Sequence, residues 1–196
     1  MTNTSATGGY LSENSIATPP VEDDAFTNII QAVIVGITGI AGNLVRPRWQ
    51  PIPPTQPTVG TTWCAFGIHT TKADTFPFIG HSGTVNGGDG DDFVLRYEDI
   101  EVLCSFYGSQ ANSAAAALRD GLFVAQNREA LSSNGMALVS VGDIITMPDL
   151  INTQWYYRID MPIRLRREIM KSYPVLNLLS AAGTITTGNV TVNFNN

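Results

Sequence analysis

The sequence predicts one domain of mixed helix and strand, α/β or α+β, and three observations carry that prediction. Two long segments, 93–107 and 153–170, alternate apolar and polar side chains with the period of two that belongs to strands. Two others, 26–37 and 111–125, repeat apolar residues at the spacing of one helix face. The chain has 196 residues, 43% of them hydrophobic, which is enough to bury one real core.

Residues 1–20 are rich in Ser, Thr, Asn and Gly and end in Thr18-Pro19-Pro20, a composition that buries too little to offset the entropy of ordering. An N-terminal arm, 1–23, is therefore expected to be mobile in a lone subunit and fixed by a neighbouring chain. Glu22, Asp23 and Asp24 then open a helix with Phe26, Ile29, Ile30, Val33, Ile34 and Ile37 on one face, ended by Gly39 or Gly42. The segment "RPRWQPIPPTQP" carries five prolines between Pro47 and Pro57 and reads as an extended, stiff connector. Such segments also suit SH3-like grooves, but a linker is the preferred reading.

"WCAFGIHT" aligns Cys64, Phe66 and Ile68 and is a strand, while "TVNGGDGDDF" is a turn or loop. In "FVLRYEDIEVLCSFYG", Phe93, Leu95 and Tyr97 share one parity and Ile100, Val102, Cys104 and Phe106 the other. A β-bulge at Glu98-Asp99 would restore a single buried face. Ser109 is expected to cap the next helix, with Ala111, Ala114, Ala115, Leu118, Leu122 and Ala125 as a narrow stripe suited to lying on a sheet. "NREALSSNG" supplies one or two more helical turns, ended at Asn134-Gly135.

"MALVSVGDIITM" is a strand bent at Gly142, and it leads into "TQWYYRIDMPIRLRREIM", where Trp155, Tyr157, Ile159, Met161, Ile163 and Leu165 define the buried face. "PVLNLL" is expected as a short helical turn. The tail "TITTGNVTVNFNN" is polar and β-rich, with Ile185, Val190, Val192 and Phe194 as its larger apolar residues, and is expected to pair with a sheet edge of this or another subunit. The implied organisation is an arm over 1–23, a domain over 24–182 and a C-terminal arm over 183–196.

Chemistry-bearing motifs fail on their own geometry. "GHSGT" has Gly83 and Thr84 where a nucleophile elbow needs a variable residue and a glycine. "GITGIAG" spaces its glycines unlike a phosphate loop. Counted from Asp89, the sixth and twelfth positions are Val94 and Ile100, where a calcium loop needs Gly and Glu. Cys64 and Cys104 lie in alternating apolar segments and read as buried thiols, and His69 and His81 are not spaced to join them around zinc. No enzyme, metal or cofactor is expected. No run of about 18 apolar residues suggests a membrane span, and the N-terminus lacks the basic start and apolar core of a secretory signal, so a cytoplasmic site of action is expected.

What remains unexplained is charge. Arg158, Arg164, Arg166 and Arg167 are four of the eleven basic residues, in a chain with a formal charge of -6 and a pI near 4.7. Arg158, Arg164 and Arg166 share the face opposite Ile159, Ile163 and Leu165, and Pro162 among them suits an edge position. The acidic balance argues against a DNA-gripping surface, and Tyr156 alone is interleaved as a stacking group. Glu98, Asp99 and Glu101, with loop acids Asp89, Asp91 and Asp92, would form a complementary patch. Opposite charges on different faces favour head-to-tail association, which closes into a ring when the rotation permits.

Phe106-Tyr107-Gly108 ends a strand and leads into a helix carrying Leu118-Arg119-Asp120. Asn127-Arg128 follows, and Trp155 enters a long strand with Arg158-Ile159-Asp160. In that order, over about residues 24–180, the chain resembles the neck or tail-terminator proteins of long-tailed bacteriophages. The resemblance implies an α+β fold, helices packed on a mainly antiparallel sheet, with the extended N- and C-terminal arms added. It implies a virion structural subunit, made in the host cytoplasm, in a homo-oligomeric ring of six that ends the tail tube. The implied partners are the tail tube protein, the head-side connector and the sheath protein, with genomic DNA passing through the lumen unread. Arg158, Arg164, Arg166, Arg167, Glu98, Asp99 and Glu101 are the expected subunit-interface residues. A head-tail connector or head-completion subunit is the alternative within that class, and a nucleic-acid- or peptide-binding module is the alternative outside it.

Overall fold

The computed structural model describes residues 3–14, 21–52, 54–151, 153–179, 182–188 and 190–195. In chain order its elements are α1 (Asp23–Thr38), β1 (Val45–Pro47), β2 (Trp63–Ala73), β3 (Phe78–Ser82), β4 (Asp91–Tyr107), α2 (Ala111–Gly121) and α3 (Glu129–Ser132). They continue with β5 (Met136–Val141), β6 (Ile145–Thr146), β7 (Asp149–Ile151), β8 (Gln154–Tyr156), β9 (Arg158–Tyr173), β10 (Ala182–Thr187) and β11 (Val190–Asn195). The chain divides into two compact units, one of residues 20–77 and 96–169, the other of 1–19, 78–95 and 170–196.

In the larger unit the strand order is β1-β2-β4-β9-β5, with β6 also on β9. β1 runs parallel to β2, while β2 with β4, β5 with β9 and β6 with β9 are antiparallel. This is the α+β architecture the resemblance implies. One face of the sheet carries Cys64, Phe66, Ile100, Val102, Cys104, Phe106, Ile159, Met161, Ile163 and Leu165, all buried. Against it lie Phe26, Ile30, Val33 and Ile34 of α1 and Ala111, Ala115 and Leu118 of α2. The alanine stripe explains how α2 seats closely, since only methyl groups separate its backbone from its neighbours. Asp23 and Asp24 favour the positive end of α1, and Gly39, at φ +70°, closes it by donating its N–H to Val35 O at 2.9 Å.

In the smaller unit β3 pairs with Asp91–Leu95 of β4, and β10 pairs with β11 as an antiparallel hairpin. The arm is held by its own chain there: Ser5 N–H donates to Pro174 O at 3.1 Å and Asn14 N–H to Ser172 O at 2.7 Å.

Several expectations are corrected. The segment 153–170 is two strands, because β8 pairs with β7 in a separate ribbon and β9 starts only at Arg158. Trp155 and Tyr157 are therefore exposed, at 67% and 45%, although Ile159, Met161, Ile163 and Leu165 are buried as read. The register shift between β2 and β4 falls between Ile68 and Thr70, so the extra residue, His69, sits on β2 and not at Glu98-Asp99. Ser109 turns away from the helix and donates to Gly60 O at 3.2 Å, leaving Gln110 at the cap position.

Pro162 is not on an edge, since β9 has neighbours on both sides. Its place is the gap where pairing passes from β5 to β6, and its carbonyl accepts the Gly142 N–H at 2.8 Å. In a strand the N–H and C=O of one residue point the same way, so the donor proline lacks would have faced that gap. A Cβ on Gly142 would come within 2.6 Å of the Pro162 ring, which is why the bend falls on a glycine. Residues 174–179 form no helical turn, and the tail pairs with itself.

Candidate functional site

β4 and β9 lie side by side, and their charges meet in steps: Glu98 with Arg167, Asp99 with Arg166, Glu101 with Arg164. The numbers rise along one strand as they fall along the other, the signature of antiparallel neighbours. The first step lies on the helix face of the sheet, and the other two share the opposite face. The acids assigned from sequence to a neighbouring subunit are thus the cross-strand partners of the arginines in the same chain, and the two signs share sheet faces where the sequence reading put them on different ones.

Arg167 lies on the helix side. Its guanidinium donates to Glu98 Oε2 at 2.9 and 3.1 Å, reaches Glu22 Oε1 at 3.4 Å, bonds the Val21 carbonyl and stands 6.0 Å above the Phe26 ring. Arg167 and Glu98 are only 11% and 14% exposed. This group pins the start of α1 to the sheet, and removing one partner would leave the other charge desolvated.

Arg158 is likewise committed. It grips Asp160 through Nε at 2.8 Å and Nη2 at 2.6 Å and reaches Asp149 at 3.1 Å. Asp160 also accepts from the Ser105 hydroxyl, which accepts in turn from Arg48. Burial pushes the Asp160 carboxyl up. Hydrogen bonds from Arg158 and Ser105, with the charges of Arg158 and Arg48, outweigh that and hold it below its ordinary value. The Asp160 bond also raises the Arg158 guanidinium above its own ordinary value. The network fastens β7 and β9 to β4 and to the connector that carries Arg48.

Arg164 and Arg166 differ. They stand on the face opposite the helices and are 53% and 48% exposed. Arg164 is 3.7 Å from Glu101, which His69 also reaches at 3.0 Å. Arg166 lies 3.8 Å from Asp99 and 3.9 Å from Asp74, with its guanidinium 5.1 Å above the Tyr97 ring. Those separations exceed hydrogen-bond length, and Asp99 Oδ1 is buried without a hydrogen-bond partner among the described residues. Pairs this loose and exposed contribute about 0–1 kcal/mol, so these charges are little committed to holding their own chain together.

Two of the loop acids, Asp91 and Asp92, are occupied within the smaller unit. Asp91 is buried and accepts from Asn14 Nδ2 at 3.0 Å, and Asp92 bonds His81 at 2.8 Å. Asn177 threads this loop, donating to Gly83 O and Gly88 O and accepting from His81 Nε2 at 2.7 Å. A Cβ on Gly90 would come within 2.5 Å of the Asn177 amide, so the glycine run is a socket for one asparagine. Cys64 and Cys104 are free and buried, and burial, then the neighbouring Cys104, pushes the Cys64 thiol up.

Sequence reasoning missed Arg48, Asp74, Asp149 and Asp160 as partners. Asp160, two residues from Arg158 on one strand face, was the legible one; the others depend on how loops return to the sheet. Among the described residues no group of three or more His, Cys, Asp or Glu is arranged to hold a metal ion, and no helix is long and apolar enough to cross a membrane. No curated protein matches the chain. The model of one protein family, described as phage neck terminator protein, matches residues 24–191, nearly the whole of the α+β structure and both charged strands. The chain belongs to the phage neck terminator family.

Proposed function

We propose that this chain is a non-catalytic subunit of a sixfold ring at the head-proximal end of a phage tail, where the ring ends the tail tube and joins it to the head-side connector. The observation that carries the reading is the two-sign patch of Arg164, Arg166, Asp99 and Glu101 on the sheet face away from the helices, with its arginines about half exposed and its acids, at 38% and 29%, partly so. Arginine forms bidentate bonds to carboxylates, so a neighbour's acids can improve on separations of 3.7–3.9 Å that the chain alone leaves slack. Arg158 and Arg167 fall outside this interface, since both are spent on their own chain.

The acidic total suits a lumen through which DNA slides without being held. The test is charge reversal: Arg164→Glu with Arg166→Glu is expected to abolish the oligomer at physiological salt while the circular dichroism of the monomer stays unchanged. Adding Glu101→Arg and Asp99→Arg is expected to restore part of it. Unaltered assembly of the double variant would refute the interface.

A further inference from the structure

A second surface is built around the Phe106-Tyr107-Gly108 motif. Trp63 and Tyr107, directly opposite one another on β2 and β4, stack with ring centroids 4.2 Å apart and 8° between planes. With Trp155, Tyr156 and Tyr157 and the turn 58–61 they line a cleft of about 160 Å³. Gly108 makes it possible: it lies at φ +95°, where a Cβ would stand 2.2 Å from Thr61 O, and its N–H holds the Tyr157 carbonyl at 3.2 Å. None of these lining residues is charged, and Trp155 is 67% exposed.

The same chain carries the matching ligand. Between β1 and β2 runs a connector whose described residues form no regular strand or helix, longer than the loops that merely join elements. Its stretch 49–61 contains no charged residue, Pro51, Pro54, Thr55 and Gln56 are exposed, and Ile52 is 85% exposed. Aromatic-lined clefts take proline-rich segments because a stiff, left-handed extended chain loses little entropy on binding and offers flat ring faces to indole and phenol.

The connector cannot fill its own cleft, since it runs straight into the wall at Thr58–Thr61 and would have to reverse within a few proline-restricted residues. We infer that the aromatic cleft of one subunit receives the proline-rich connector, residues 50–57, of a second copy of this chain. The inference rests on the ring reading, and it supplies the heterologous contact such a ring requires.

The test uses the full chain and a synthetic peptide QPIPPTQP, residues 50–57, which contains no fluorophore. Titration is expected to change the protein's tryptophan fluorescence saturably, at least tenfold more weakly in Trp155→Ala and not at all for a peptide with Gly in place of Pro. Pro51→Ala with Pro54→Ala, and separately Trp155→Ala, are expected to lower the oligomer population measured by mass photometry. Equal response of wild type and Trp155→Ala to the peptide, or both variants assembling as wild type does, would overturn the inference while leaving the ring. A wild-type chain that binds the peptide yet stays monomeric would overturn the ring reading and the second-copy assignment together, giving the cleft to a proline-rich segment of another protein.

Discussion

Replacing Phe106 by Ala tests the core against an aromatic residue that sequence periodicity also placed inside. Phe106 is 0% exposed and faces Cys64, also 0% exposed, across the β2–β4 ladder, whereas Trp155 is 67% exposed on β8. A buried phenylalanine removes roughly 150–250 Å² from water, about 4–6 kcal/mol at about 25 cal/mol per Å². Alanine keeps Cβ and the site partly collapses, so the expected loss is about 3–5 kcal/mol. For a chain of this size that lowers the melting temperature by about 6–20 °C. Trp155→Ala is expected to stay within about 0.5 kcal/mol, as exposed positions do. Urea denaturation followed by circular dichroism reads both, with the midpoint shifted at constant slope for Phe106→Ala. Equal losses for the two variants, or a near-wild-type midpoint for Phe106→Ala, would refute this core.

Gly108→Ala is expected to cost about 1–3 kcal/mol or more, because it places a Cβ in the left-handed region and against the Thr61 carbonyl; a wild-type melting temperature would contradict the close approach. His81 faces two acceptors, Asn177 Oδ1 and Asp92 Oδ1, so both ring nitrogens are held as donors, and the Asn177 bond, then the Asp92 bond, raises its pKa. A raised folded pKa gives stabilisation that is complete below the unfolded value of about 6.5 and lost as pH climbs through the folded value. Hydrogen-exchange protection of the Asn177 N–H, which donates to Asp89 O, is therefore expected to fall over that window in step with the His81 ring resonance. Flat protection across it would rule the linkage out.

Helices α1 and α2, the buried parity of 100–106 and 159–165 and the buried thiols were legible in the sequence, because each depends on a local period or a local composition. The Phe106-Tyr107-Gly108 motif was legible too, and in this chain Gly108 is a place where two backbones meet. Trp155 was misread because alternation continues across a change of partner, and nothing local tells a ribbon strand from a sheet strand. The arginines were recognised as facing Glu98, Asp99 and Glu101, but of a neighbouring subunit and not of their own chain. Their antiparallel register with Glu98, Asp99 and Glu101 is a property of strand adjacency, and adjacency is tertiary. Asn177 was read as part of a helical turn because its role, filling a glycine-lined loop 90 residues upstream, leaves no periodic trace.

Native mass spectrometry of the intact, purified chain at physiological salt tests the central claim most directly. The account predicts one discrete species at six times the 21.1 kDa subunit mass, collapsing to the single subunit when Arg164 and Arg166 are both reversed to Glu. A wild-type chain that remains a single subunit at every concentration, or an oligomer indifferent to that reversal, would contradict it.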